Sequence, residues 1–303
     1  MSTANSKSIS LVLGSGGARG LAHIGVIHWL EENDFKIQSI VGCSIGAVIG
    51  GIYAAGKLDV YEQWVRALTK VDVLTLLDLS WDKSGLVRGE KIINTLKGLV
   101  GEKLIEDLPI AFTAVATDLR SQKEVWIRSG SLFDAMRASF AIPLFFTPFK
   151  LKGFDLVDGG VLNPVPIAPT FGDQTAITIA VNLNGPYETP AEPAVAPAAP
   201  HSPESPIREK INHFIARFQT PQQLSTPRGA GRDWGPYEIA AQAFEAMQMS
   251  IARQKLAAYP PDMVIDIPRN ICKTLEFERA AEIIAVGYKK AKMCDFSTLT
   301  GSR

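Results

Sequence analysis

The fold of this chain is decided by the stretch IQSIVGCSIGAVIGG, residues 37–51. Its apolar beginning predicts a buried strand over 37–41, and residues 45–55 predict a buried helix. Between the two lies the pentapeptide GCSIG, residues 42–46, which is a G-x-S-x-G sequence. A serine on a sharp turn between strand and helix has its hydroxyl thrust outward, as a nucleophile requires. The stretch therefore predicts an α/β unit with Ser44 as the candidate nucleophile.

The glycines around Ser44 fit the same interpretation. Gly42 and Gly46 remove the Cβ atoms that would collide where a strand and the following helix approach closely. Ser44 would also begin the helix, where aligned peptide dipoles favour developing negative charge. Two alternatives exist: a glycine-rich turn without function, and a transmembrane helix over the uncharged residues 37–56. A strand, a turn and a helix explain the glycines better than either alternative.

A second glycine-rich stretch, GSGGARG at residues 14–20, follows a predicted strand at 9–13 and begins a helical pattern at 18–33. Free backbone N–H groups at such a point form a cradle for an anion. A dinucleotide-binding loop would need the pattern G-x-G-x-x-G, but Arg19 stands where the last glycine is required. The stretch is therefore better interpreted as an oxyanion hole.

Within this loop the amides of Gly16 and Gly17 are the candidate donors to an oxyanion. The loop residues Gly14, Ser15 and Gly20 would support them. Arg19 is expected to pin the loop rather than to touch substrate, and a plain structural ion pair is the alternative for its side chain.

The candidate base is Asp158, which is followed by Gly159 and Gly160. Asp-Gly is a common turn sequence, so a turn without chemistry is the alternative. The chain has four histidines, His23, His28, His201 and His213. A Ser-His-Asp triad using one of them remains open, although none stands in a setting that indicates a positioned base.

Strand followed by helix, twice in succession, predicts an α/β fold with parallel strands. Apolar runs predict further strands, and helical periodicity predicts further helices. The strands are expected at 110–116, 124–127, 175–181 and 263–267, and the helices at 131–139, 237–256 and 275–293.

The segment 186–236 differs in composition from the rest, because it holds ten of the nineteen prolines. We expect it to be a mobile insertion within one domain that spans residues 1–303. The domain's core is expected over about 8–182, with C-terminal helices at 237–293. Within the insertion, residues 207–218 predict a basic amphipathic helix, either a peripheral contact with anionic membranes or a lid over the site.

Composition excludes several classes of protein. The 31 basic and 31 acidic side chains balance, so nucleic acid is not an expected partner. Three widely spaced cysteines argue against a disulfide scaffold and against a zinc site. With a polar N-terminus and no signal-peptide core, a cytoplasmic protein is expected, either free or peripheral at a membrane.

Taken together, these motifs resemble those of the patatin-like phospholipases. The resemblance rests on GSGGARG, GCSIG and DGG in that order, and it extends to ATDL at 116–119, RAS at 137–139, IP at 142–143 and NPVP at 163–166. It covers about residues 8–182. One departure is Ser15, which stands where many members carry glycine.

The resemblance implies a three-layer α/β sandwich with a central, mostly parallel sheet flanked by helices. It implies a lipid acyl hydrolase, of phospholipase A or lysophospholipase type, with a Ser-Asp dyad. Ser44 matches the nucleophile, Asp158 the base, and Gly16 and Gly17 the oxyanion hole. The implied mechanism needs no metal and no organic cofactor.

The dyad poses a physical problem, because a free aspartate has a pKa of about 3.9 and is a weak base toward a hydroxyl. Burial among the apolar neighbours of Asp158 is expected to raise that pKa. A catalytically silent lipid-binding or regulatory protein on the same fold is the alternative function. The lipid class and the oligomeric state are not determined by the sequence.

Overall fold

The computed structural model describes residues 7–77, 87–189 and 235–300. In this part of the chain eight strands form one sheet, ordered β5-β6-β3-β2-β1-β7-β8 with β4 also paired to β3. The strands are β1 (Ser8–Leu13), β2 (Lys36–Cys43), β3 (Ala111–Asp118), β4 (Lys123–Ile127), β5 (Phe149–Leu151), β6 (Phe154–Asp158), β7 (Ile177–Gly185) and β8 (Met263–Pro268). The pairs along β3-β2-β1-β7-β8 are all parallel, while β4, β5 and β6 pair antiparallel. The sheet is thus mostly parallel, as predicted.

Helices surround this sheet. They are α1 (Ala22–Glu32), α2 (Ile45–Ala54), α3 (Leu58–Arg66), α4 (Lys70–Leu76), α5 (Glu90–Val100), α6 (Leu132–Ser139), α7 (Pro236–Ala258), α8 (Ala280–Met293) and α9 (Ser297–Thr300). Helices α3, α4 and α5 were not among the predicted elements. The predicted helix at 18–33 begins as the 3-10 turn Gly17–Leu21, and the predicted helix at 275–293 begins only at α8. The other predicted elements agree to within a few residues.

The strands divide the helices into two layers. In β1, Leu11 and Leu13 face the large core with α1, α2, α6 and α8, whereas Val12 faces a smaller cluster with Ala252 of α7. This alternation is the two-residue period of a strand that is covered on both faces. On the first face α1 and α8 cross closely, since a Cβ on Gly287 would lie 2.7 Å from the Ala22 carbonyl carbon.

Pairing along β3 brings two distant parts of the chain together. One edge of β3 is taken by β4 from Ala114 to Asp118. On the opposite edge, β2 ends with Cys43 opposite Val115, and β6 then continues with Asp158 opposite Ala116. The residue after β2 and the last residue of β6 therefore meet at one point of the sheet.

Most of the predicted insertion, including the predicted helix at 207–218, lies outside the described residues. Its described beginning is held to the domain, because the Glu188 amide donates to Asn270 Oδ1 at 3.1 Å and Asn270 Nδ2 donates back to the Glu188 carbonyl at 2.7 Å. Its end, Pro236, is the first residue of α7. Within the described ranges, no helix combines the length and apolar character needed to cross a bilayer.

Candidate active site

Ser44 occupies a strained turn between β2 and α2. Its φ of 57° and ψ of −125° lie in a region that residues with a side chain rarely adopt. The flanking glycines permit the turn, since a Cβ on Gly46 would lie 2.6 Å from the Leu13 carbonyl carbon and one on Gly42 would lie 2.5 Å from the Ala47 nitrogen. Ser44 is also the first residue before α2, so the positive end of that helix points at the site.

A second serine fixes this turn. The Ser44 amide donates to Ser139 Oγ at 2.9 Å, and Ser139 Oγ donates to the Val115 carbonyl at 2.7 Å. Ser139 is fully buried at the end of α6, so it ties the turn to β3. Sequence reasoning missed this role, although the RAS stretch that contains Ser139 belongs to the pattern described above.

The glycine loop lies beside Ser44, at the carboxyl end of β1. Its backbone is tied down by three amides, which donate to carbonyls from other segments: Gly14 to Val181 at 3.1 Å, Ser15 to Pro164 at 2.9 Å and Ala18 to Thr274 at 2.8 Å. Between them, the amides of Gly16 and Gly17 make no hydrogen bond within the described part of the chain. A fixed loop with two unused N–H groups is suited to stabilising an anion.

Arg19 contacts both the loop and its surroundings. Its Nε donates to the Gly16 carbonyl at 3.0 Å and its Nη1 donates to the Arg269 carbonyl at 3.1 Å. Nη1 also lies 3.3 Å from Glu245 Oε1 of α7. Gly20 allows the loop to pack on α2, because a Cβ there would lie 2.9 Å from the Ile45 Cβ.

The two described histidines contact groups other than Ser44 and Asp158. His23 is fully buried and donates from Nε2 to the Gly14 carbonyl at 2.9 Å, and burial lowers its pKa to about 4. It therefore stays neutral and supports the loop. His28 pairs with Glu62 at 3.1 Å on the far end of α1. His201 and His213 lie outside the described residues.

Asp158 ends β6 and is buried beside Ser44. Its amide donates to the Ala141 carbonyl at 2.9 Å, and its Oδ1 accepts from the Gly160 amide at 2.7 Å. Burial raises the pKa of Asp158 to about 7, against the lowering effect of hydrogen bonds from Ser44, Gly160 and Cys43. Gly159 lies tight against β3, since a Cβ on it would come within 2.7 Å of the Val115 carbonyl carbon.

The contact between Ser44 and Asp158 falls short of a hydrogen bond in the described part of the chain. The Ser44 hydroxyl is near enough to lower the pKa of the carboxyl group, yet Asp158 Oδ2 makes no hydrogen bond of normal length and angle within the described residues. Hydrogen bonds of this kind often tighten only when substrate binds. The two side chains are therefore neighbours without a closed hydrogen bond between them.

Cys43 lies directly beneath the site. Its Sγ is 3.9 Å from Asp158 Oδ1, and burial raises the pKa of the thiol well above its usual range. The thiol stays protonated, so it donates weakly to the carboxylate and does not compete as a nucleophile.

Two cavities meet at Ser44. The first is walled by apolar side chains of α2, α3, α4 and α5 and by Phe140, Phe145 and Phe146. The second, called the polar cavity here because it holds the glycine loop, Asp158, Glu245 and Gln248, is also lined by apolar side chains such as Leu144 and Phe244. The α7 residues carried no signal in the sequence that linked them to the site.

No cluster of three or more histidine, cysteine, aspartate or glutamate side chains suited to a metal ion occurs among residues 7–77, 87–189 and 235–300.

Comparison with known proteins places these observations in a family. A family model described as patatin-like phospholipase matches residues 11–171. An uncharacterized NTE family protein of Mycobacterium tuberculosis is 39% identical over 327 aligned positions, which cover 93% of this chain and 90% of that protein. The human patatin-like phospholipase domain-containing protein 6 is 33% identical over 57% of this chain, and the match covers 13% of its own length.

Among solved structures, VipD from Legionella pneumophila aligns over 97% of this chain and 66% of its own. The TM-score is 0.45 and the sequence identity is 15%.

Proposed function

Because this chain belongs to the patatin-like phospholipase family, we propose that it hydrolyses lipid acyl esters with Ser44 as nucleophile and Asp158 as base. Lipid hydrolysis in general follows from the family. The observation that carries the finer proposal is a strained serine beside a buried carboxyl group whose pKa is about 7, at the junction of an apolar and a polar cavity.

Acylation begins when the Asp158 carboxylate accepts the proton of the Ser44 hydroxyl. A pKa near 7 makes this carboxylate a much better base than an exposed aspartate, while half of it is still ionised at neutral pH. Ser44 Oγ attacks the ester carbonyl, and the amides of Gly16 and Gly17 stabilise the oxyanion. Protonated Asp158 then returns the proton to the departing alcohol, which leaves the acyl group on Ser44.

Deacylation repeats these steps with water as the nucleophile. Water attacks the acyl carbonyl, Asp158 accepts a proton from the water, and Ser44 leaves with the proton that Asp158 returns. Each half of the reaction passes through one oxyanion, so the same two amides act twice. Asp158 accepts and returns a proton in each half of the reaction, so no histidine is needed to relay it.

The cavities indicate which part of the substrate lies where. Burial of each methylene contributes about 0.8 kcal/mol, so the apolar cavity suits the acyl chain. The polar cavity suits the alcohol or headgroup, which leaves past α7. We propose phospholipase A or lysophospholipase activity, in which the cleaved ester carbonyl lies between the two.

A fluorophosphonate probe and a lipid panel test this proposal. Wild type should be labelled at Ser44, and Ser44→Ala should abolish both labelling and the release of fatty acid measured by mass spectrometry. Ser250→Ala, on the exposed face of α7, is the matched control and should behave as wild type. A wild type that binds lipid vesicles but is neither labelled nor active would identify a silent lipid-binding protein instead.

We also propose peripheral contact with anionic membranes through residues 207–218, on the sequence pattern alone. Flotation with anionic liposomes should weaken when residues 190–234 are replaced by a short glycine-serine linker. Equal flotation of the two proteins would end this part of the proposal without touching the assignment of Ser44 and Asp158.

A further inference from the structure

Ser15 carries a hydroxyl whose place in the site is not explained by the oxyanion loop. The residue is 2% exposed, and its Oγ has no hydrogen-bond partner within the described part of the chain. Burying a hydroxyl without a partner costs on the order of 1–3 kcal/mol. A polar atom in this condition at the wall of a cavity indicates a ligand or a bound water.

The Ser15 hydroxyl lies on the side of the base rather than on the side of the oxyanion. A Cβ built on Gly160 would be 2.9 Å from Ser15 Oγ and 2.9 Å from Asp158 Oδ1. The Gly160 amide is the group that donates to Asp158 Oδ1. Ser15 therefore reaches across from the glycine loop to the turn that carries the carboxyl group.

Gln248 of α7 completes this group of polar atoms. The same Cβ on Gly160 would collide with the Gln248 side-chain amide, so that amide packs directly over Gly160. Gln248 lines the polar cavity together with Ser15, Ser44 and Asp158. The Gln248 side-chain amide makes no hydrogen bond within the described residues. Asp158 Oδ2 also has no hydrogen-bond partner among them.

We propose that Ser15 Oγ and the Gln248 amide hold the water that hydrolyses the acyl-enzyme and direct it between Asp158 and the acyl carbonyl. This inference rests on the function proposed above. A water needs two to four polar partners to be held in place, and here a hydroxyl, an amide and a carboxylate surround one side of the cavity. Ser15 and Gln248 are positioning residues, because they act through the water.

The step balances with these groups alone. The water donates one hydrogen to Asp158 and one to Ser15 Oγ, and accepts from the Gln248 amide, which leaves one lone pair for attack. The water oxygen forms a bond to the acyl carbon while its proton passes to the Asp158 carboxylate. Collapse of the intermediate breaks the bond to Ser44 Oγ, which takes that proton and releases the carboxylic acid.

This arrangement predicts a selective effect on deacylation. The leaving alcohol and the entering water pass through the same cavity. Only the water is small enough to depend on fixed hydrogen-bond partners for its orientation. Removal of the Ser15 hydroxyl should therefore spare the attack of Ser44 on the ester. A third donor to the oxyanion would instead affect both halves of the reaction, since the oxyanion forms in each.

The test is pre-steady-state hydrolysis of p-nitrophenyl octanoate by Ser15→Ala, Ser15→Gly and Gln248→Leu. We expect acylation within about twofold of wild type and deacylation slowed about tenfold, the upper range for one neutral hydrogen bond. Intact-mass spectrometry should show acylated protein accumulating. In buffer with methanol, methanol and water compete for the acyl-enzyme and give methyl ester and free acid respectively. The ratio of methyl ester to free acid should rise in each variant. This ratio depends only on how the acyl-enzyme is divided between the two, so it reports on the water whichever step limits turnover.

Gln254→Leu, at an exposed position of the same helix, is the control and should keep the wild-type ratio. Equal loss of acylation and deacylation with an unchanged product ratio would overturn the proposal and assign Ser15 to the loop or the oxyanion. Absence of both labelling and turnover in wild type would overturn the proposed function itself, so the two failures can be told apart.

Discussion

The two cavities that meet at Ser44 share part of their lining, yet the polar groups are divided unequally between them. The apolar cavity is walled by α2 to α5 and by phenylalanines, and its helices pack into the main core. The polar cavity is closed on one side by α7, which joins the fold through a small cluster around Ala252 and through single polar contacts such as Arg19 to Glu245.

This difference suits a serine that reacts between the two chemically unlike ends of a lipid. Apolar burial is proportional to area and has no preferred direction, so the acyl side needs only a closed hydrophobic wall. Proton transfer and water placement need atoms at set distances, and in our proposal Asp158, Ser15 and Gln248 supply these atoms on the other side. Substitutions on the apolar side should change which chain is accepted, and those on the polar side should change the rate of chemistry.

The largest expected effect comes from the base. Asp158→Asn keeps the size of the side chain but removes the carboxylate, so kcat/KM for any ester should fall by about 10³-fold. Asp155→Asn, three residues earlier on β6 and paired with Arg120 at 2.8 Å, is the matched control. Activity of Asp158→Asn within tenfold of wild type would show that another group acts as base.

The same substitution should stabilise the fold. Because the pKa of Asp158 is about 7 when folded and about 3.9 when unfolded, the folded state binds more protons between these values. The contribution of this group to the free energy of unfolding is therefore fully present below pH 4. It is lost as the pH rises to 7, and the loss is roughly 4 kcal/mol at most. Above pH 7, urea unfolding should show Asp158→Asn to be more stable than wild type; an equal or lower midpoint would contradict the raised pKa.

On the apolar side, Val65→Phe should shorten the accepted chain. Val65 is fully buried on α3 and lines the apolar cavity, and exclusion of three methylenes costs about 2.4 kcal/mol, roughly 50-fold in kcat/KM. Long-chain p-nitrophenyl esters should be affected and the acetyl ester spared. Val60 is 40% exposed on the same helix, so Val60→Phe should leave kcat/KM unchanged for both the long-chain esters and the acetyl ester. A uniform loss across chain lengths would argue that the acyl chain lies elsewhere.

The pH profile compares the two sides directly. Since Asp158 must be ionised to accept a proton, kcat/KM should fall about tenfold per pH unit below about 7. The midpoint should be the same for short and long acyl chains and unchanged in Val65→Phe, because the apolar wall does not touch the carboxyl group. A midpoint near pH 4 would mean that Asp158 is an ordinary aspartate in solution.

The smallest effect should come from the rim of the polar cavity. Glu245→Gln weakens the contact with Arg19, which is a partly exposed pair worth about 0.5 kcal/mol. The free energy of unfolding should fall by about 0.5 kcal/mol, and kcat/KM should change by no more than about two- to threefold. A loss beyond tenfold would instead give Glu245 a part in the chemistry and would weaken the division of labour proposed here.

Much of the local structure could be predicted because it depends on residues close in sequence. The predicted strand at 37–41 and helix at 45–55 appear as β2 and α2, and the mostly parallel sheet with helices on both faces is the patatin-like sandwich expected from the motifs. Helices α3 to α5 were not predicted, although they form the apolar cavity. The membrane and lid interpretations of residues 207–218 stay predictions.

The sequence by itself determined the strained turn at Ser44 and the glycine loop, because backbone sterics over five to seven residues decide both. Only the tertiary structure decided that Asp158 follows Cys43 along one edge of β3, and that α7 brings Gln248 over Gly160. It also set how far the pKa of Asp158 rises, although the apolar neighbours of Asp158 in the chain predicted the direction. Cys43 and Asp158 are 115 residues apart, so no local pattern could have contained the strand register that brings them together.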